Sequence, residues 1–171
     1  LPMLRLHDRP LSGWGLVLKS AEDRVLAMLL LLVFAPLMAL VAIAIRLESR
    51  GPVLFRQRRF GFHNDEFVVF KFRTMHPSAE SAPDVPQAKR EDERVTRVGA
   101  FLRRTSLDEL PQLFNVLRGD MSLVGPRPHA VAHNLKYAGL IDDYLSRHRV
   151  KPGITGWAQI NGFRGETDTA E

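Results

Sequence analysis

Residues Val25 to Ile45 read VLAMLLLLVFAPLMALVAIAI, about 21 residues without a charge. At roughly 1.5 Å per residue, a helix of that length covers the apolar part of a bilayer. Apolar on every side, it has no solvent face of its own. Lys19 and Arg24 precede the run, and Arg46, Arg50, Arg56, Arg58 and Arg59 follow it. Cationic flanks stay on the cytoplasmic side, so both ends are expected there, which a straight span cannot satisfy. Pro36, near the middle, removes one helix hydrogen bond and favours a bend. The expectation is a re-entrant helical hairpin bent at Pro36, with a straight span that tolerates the proline as the alternative. Ala42-Ile43-Ala44 has the spacing of a signal cleavage site, but the length of the run and the basic residues behind it argue against removal.

The remaining chain is enough for one ordinary domain. It has 171 residues, 45% of them hydrophobic, which suits a packed core and excludes a disordered polypeptide. Beginning at Leu1, it reads as a piece of a longer protein, with residues 1–50 as the N-terminal and membrane segment and 51–171 as the domain beyond it. The formal charge of +5 and pI near 10.1 point to anionic partners. The absence of cysteine excludes disulfides, thiolate metal sites and a cysteine nucleophile.

Beyond the breaker Gly51-Pro52, Val53–Arg58 and Glu66–Arg73 alternate as two strands around Gly61–Asp65, a β-hairpin. Alternation puts Val68, Phe70 and Phe72 on one face of the second strand. Phe67, Val69, Lys71 and Arg73 fall on the other, so Lys71 and Arg73 form either a solvated strand face or a basic wall for a phosphate. Residues 76–94 read as a surface loop. Helical spacing returns at Val98–Arg104, Leu110–Leu117 and Ala130–Arg147. The fold class is α+β: a small membrane-associated domain with a short β-hairpin.

In Arg103-Arg104-Thr105-Ser106-Leu107-Asp108-Glu109-Leu110-Pro111, Ser106 and Glu109 have capping-box spacing, while Asp108 as the cap would put Pro111 in the first turn. Either way the two acids lie at the positive end of a helix, which favours carboxylates and attracts phosphate. Acidic caps are also ordinary and require no function. Neighbouring helical side chains diverge by about 100°, which disfavours two acids facing one glycosidic bond. A division of labour fits better, one carboxylate attacking and the other orienting a metal or a proton. Downstream, the prolines of Gly125-Pro126-Arg127-Pro128 stiffen the backbone around an arginine suited to clamp an oxyanion. The glycines of Lys151–Trp157 allow close backbone approach to a ligand.

Taken together, KFRTM at Lys71–Met75, RRTSLDELPQLFNVLRGDMSLVGPRP at Arg103–Pro128 and KPGITGWAQINGFRGETDT at Lys151–Thr169 resemble the bacterial sugar transferases, the monotopic phosphoglycosyl transferases that begin surface polysaccharide assembly. The resemblance implies a re-entrant membrane helix, Mg²⁺, a UDP-sugar donor, a polyprenyl (undecaprenyl) phosphate acceptor, a place on the cytoplasmic face of the inner membrane, and a cytosolic catalytic domain at 51–171 that is cut short at its C-terminus. It implies that Asp108 attacks the sugar-linked phosphate and holds a phosphosugar, with Glu109 placing Mg²⁺ or taking a proton. Lys71, Arg73, Arg103 and Arg127 are the expected phosphate neutralisers. The run His129–Asn134 resembles members using UDP-glucose; His129 and His133 are taken as ordinary helix residues. The rival reading is a non-catalytic membrane scaffold for glycan assembly. Nucleic acid is not expected as a partner, because the aromatics alternate as core residues. A homo-oligomer is left open.

Overall fold

The computed structural model describes residues 13–76, 92–128 and 149–161. The expected helix at 130–147, most of the 76–94 loop, His129 and His133 lie outside them. Helix α1 spans Trp14–Glu48 and is followed by strand β1, Leu54–Phe60, a 3₁₀ turn at Phe62–Asn64 and strand β2, Glu66–Phe72. Helix α2, Arg97–Thr105, leads through a second 3₁₀ turn, Leu107–Glu109, into helix α3, Gln112–Arg118. Short strands β3, Ser122–Val124, and β4, Gly153–Thr155, precede a last helical turn α4 at Trp157–Ile160.

Strands β1 and β2 pair antiparallel, with Leu54 opposite Phe72 and Phe60 opposite Glu66, so the expected hairpin is present. Strands β3 and β4 form a separate parallel pair.

Helix α1 is one helix of 35 residues, and it continues through Pro36. The proline does not interrupt the helix. Leu, Ala and Met, all strong helix formers, fill both sides of the proline. Its inner face builds the core. Ala27 packs with Val69, Leu113, Val116 and Met121, and Val41 and Ile45 pack with Phe72 and Leu102. Leu110 touches both clusters. Burial of each large side chain here contributes about 2 kcal/mol. Its outer face, including Val25, Leu29, Leu32, Val33, Leu40 and Ile43, remains exposed.

Polar contacts fasten both ends of α1 to this domain. Near its start, Asp23 accepts from the Ser122 hydroxyl at 2.8 Å and the Leu123 amide at 3.2 Å. At its end, Arg73 donates to the Ser49 carbonyl and hydroxyl, both at 2.8 Å, satisfying a helix terminus that would otherwise lack donors. The Glu48 carboxylate accepts from Val98 N at 3.1 Å, adding a second cap to α2 beside Thr96, which accepts from Gly99 N at 2.9 Å.

Asn115, fully buried on α3, docks that helix on the open edge of β2: its amide donates to Val68 O at 2.7 Å and accepts from Phe70 N at 3.1 Å. The helix ends at Gly119, whose φ of 88° lets its N–H return to the Asn115 and Val116 carbonyls.

Candidate active site

Asp108 and Glu109 sit in the 3₁₀ turn between α2 and α3. The capping box expected of Ser106 and Glu109 is not formed. Ser106, at φ 61°, closes α2 in the left-handed region and makes no side-chain cap, so Pro111 takes the cap position of α3. The turn aims Glu109 inward, where it is 6% exposed, and leaves Asp108 half-buried beside it.

Two cations from separate parts of the fold meet on Glu109. Lys71 of β2 reaches its Oε1 at 2.9 Å. Arg127 contacts Oε1 at 2.8 Å and Oε2 at 3.4 Å through its two terminal nitrogens, a bidentate fork. These charges outweigh the penalty of burial and hold the Glu109 carboxyl down at about 2, so it stays ionised at neutral pH. Burial pulls the Lys71 ammonium below the usual lysine range, against the attraction of Glu109.

Arg59 adds a third cation, one the sequence reading had counted only as a membrane flank. Its guanidinium is held by Gln57 Oε1 at 2.7 Å and donates to the Pro128 carbonyl. Burial, reinforced by the nearby charge of Arg127, lowers its pKa to about 10. A signal for it existed: Phe55, Gln57 and Arg59 lie opposite Lys71, Val69 and Phe67, so alternation places Arg59 on the Lys71 face.

Arg73 is engaged elsewhere. Arg73 is 2% exposed and committed to the end of α1, because β2 stops at Phe72 and the chain turns. Arg103 donates from Nε to the Thr74 hydroxyl at 2.9 Å. The glycines of the 151–157 loop do make a close approach, but to protein. A Cβ on Gly153 would stand 2.1 Å from Gly125 N, so this approach joins β4 to the start of the Arg127 segment. Among the described residues, no group of three or more histidines or acids could hold a metal.

The sequence model of the bacterial sugar transferase family matches residues 14–171. The chain belongs to that family. Among its relatives, the UDP-glucose:undecaprenyl-phosphate glucose-1-phosphate transferase of Escherichia coli strain K12 is 59% identical over 171 residues, covering 100% of this chain and 37% of the relative. The enzyme of the same name from Klebsiella pneumoniae is 54% identical over the same length, again 37% of that protein. A sugar transferase relative from Aeromonas hydrophila, named a UDP-N-acetylgalactosamine-undecaprenyl-phosphate N-acetylgalactosaminephosphotransferase, is 44% identical over 152 residues, 88% of this chain and 36% of the relative. The chain thus spans little more than a third of the length of these relatives.

Proposed function

We propose that this chain is the catalytic part of a membrane-bound phosphoglycosyl transferase that moves glucose 1-phosphate from UDP-glucose to undecaprenyl phosphate. The observation that carries the reading is the convergence of Arg59, Lys71 and Arg127 around Glu109, next to Asp108. Three cations against the two carboxylates Glu109 and Asp108 leave a net positive charge to receive a pyrophosphate. The names of the relatives at 59% and 54% identity support the donor and acceptor.

In this mechanism an Asp108 carboxylate oxygen attacks the sugar-linked phosphorus of the donor. The bond from that phosphorus to the bridging oxygen breaks, and UMP departs with the electron pair. Asp108 then carries the phosphosugar as an acyl phosphate. A phosphate oxygen of undecaprenyl phosphate attacks the same phosphorus, forming the diphosphate link and restoring the Asp108 carboxylate. Arg127 and Lys71 neutralise the phosphoryl oxygens, which is the main demand of such transfers. Glu109, paired twice and ionised down to about pH 2, is a poor proton acceptor and instead fixes Lys71 and Arg127. Mg²⁺ bound with a nucleotide needs only one or two protein carboxylates; Asp108 would be the residue to hold it, Glu109 being committed to Lys71 and Arg127, and the ion would supply neutralisation of phosphate charge.

The membrane reading rests on α1, which is long and apolar enough to enter a bilayer and whose two ends are tied to the same domain. Both flanks then lie on one side, so α1 enters and leaves the cytoplasmic leaflet with its exposed apolar face in lipid. Cysteines placed at Lys19 and Arg50 should resist an impermeant reagent applied to intact cells. Labelling of either would overturn this topology.

The chemistry is tested by incubating the protein, in bilayer nanodiscs with undecaprenyl phosphate, with UDP-glucose. UMP release, and a phosphosugar adduct lost in Asp108→Ala, are expected. Release of UDP, or an Asp108→Ala protein that still turns over, would overturn the mechanism.

A further inference from the structure

Asp23 is buried to 5% exposure, two residues before the charge-free run of α1. A carboxylate so placed is strongly unfavourable unless it is paired and hydrogen-bonded. Its partners are Lys19 Nζ at 2.8 Å, on its own helix, and two groups of β3: the Ser122 hydroxyl at 2.8 Å and the Leu123 amide at 3.2 Å. The chain therefore commits a buried charge to a strand about a hundred residues away. That strand leads to Arg127.

Strand β3 has three residues, too few to hold its place by pairing alone. On one edge it has β4, through Ser122 N to Pro152 O at 2.8 Å and Gly125 N to Thr155 O at 2.9 Å. The Leu123 N–H faces the opposite edge, where a further strand would lie in a larger sheet. The Asp23 carboxylate fills that place. Held on both edges, β3 delivers the chain through Gly125 and Pro126 to Arg127, whose fork meets Glu109 at 2.8 Å. The prolines on either side of Arg127 leave little freedom to correct a displaced strand.

We propose that Asp23 is a positioning residue for the phosphate site: by holding the outer edge of β3 to α1, it sets the reach of Arg127. The cation cluster is then complete only when the apolar helix is seated on the domain. This inference rests on the reading of Arg127 as a phosphate-binding group.

The test is a double-mutant cycle on the full chain in nanodiscs, reading kcat and KM for UMP release from UDP-glucose. Asp23→Ala should lower kcat/KM about 30-fold, the scale of loss expected when a binding group shifts by about 1 Å. In an Arg127→Ala background the same substitution should cost less than about twofold, because the group it positions is gone. Asp23→Asn keeps one acceptor for Leu123 N and should fall between. If Asp23→Ala shows no cooperative thermal transition, Asp23→Asn and Ser122→Ala run the same cycle. Equal losses in both backgrounds would overturn the inference and make Asp23 a general packing residue, leaving the functional reading intact. Arg127→Ala with turnover unchanged would sink the functional reading, and the inference with it.

Discussion

The two small sheets both bring cations to Glu109 and are built on opposite principles. The β1–β2 hairpin is local: seven residues pair with seven across a short turn, and it supplies Lys71 and Arg59. The β3–β4 pair is remote and minimal, three residues against three, parallel, and it aims Arg127. A local hairpin recovers its closure entropy from neighbouring contacts, whereas a remote pair needs anchors outside itself. The remote pair has them in Asp23 and in the contact from Arg59 to Pro128.

Glu109 is where the two halves meet, so its replacement should have the largest effect. Glu109→Gln leaves Lys71 and Arg127 packed together without their counter-charge and should destabilise the protein by about 3 kcal/mol at pH 7, measured by denaturant unfolding. The pH dependence has a definite sign. The folded carboxyl at about 2 lies below its ordinary 4.5, so its contribution is full above about pH 5 and is lost as pH falls toward 2. Stability of the unaltered chain should fall over that window, and the Glu109→Gln curve should be flatter there. Parallel curves would show that the pairing carries no net stability.

A smaller effect is expected from breaking the remote half alone. Gly153→Ala puts a Cβ 2.1 Å from Gly125 N and 2.6 Å from Thr155 O, both backbone atoms that cannot rotate away. It should cost about 2 to 3 kcal/mol and raise KM for UDP-glucose, with the hairpin retained. Unchanged KM would mean that Arg127 does not depend on the strand pair.

The smallest effect should come from the hairpin half. Asn115→Ala leaves the Phe70 amide and the Val68 carbonyl without their partner and should cost about 1 to 2 kcal/mol in thermal or denaturant unfolding. Turnover should fall less than with Gly153→Ala, because β1 still holds β2 in register. A larger loss of turnover would reverse the ranking of the two halves.

The same contrast explains what could be read beforehand. The hairpin was legible because alternation and a turn rich in Gly, Asn and Asp are local signals. Strands of three residues have too little length to show a period, so β3 and β4 left no trace. Lys71 and Arg73 share a strand face by alternation, yet only Lys71 reaches Glu109, since the free carbonyls at the end of α1 compete for Arg73. The Ser106–Glu109 spacing suggested a capping box, but Ser106 was needed to terminate the preceding helix.

The amino-acid sequence by itself determined that a charge-free helix carries basic flanks, that a β-hairpin follows, and that Asp108 and Glu109 lie near the start of a helix among arginines and lysines. These are properties of period, composition and adjacency. Tertiary structure alone decided which cations meet Glu109 and that α1 runs unbroken past Pro36 as part of the core. It also decided that Asp23 ties that helix to the strand before Arg127. Each of these depends on groups tens of residues apart competing for the same buried partner, and such competition is resolved only by packing.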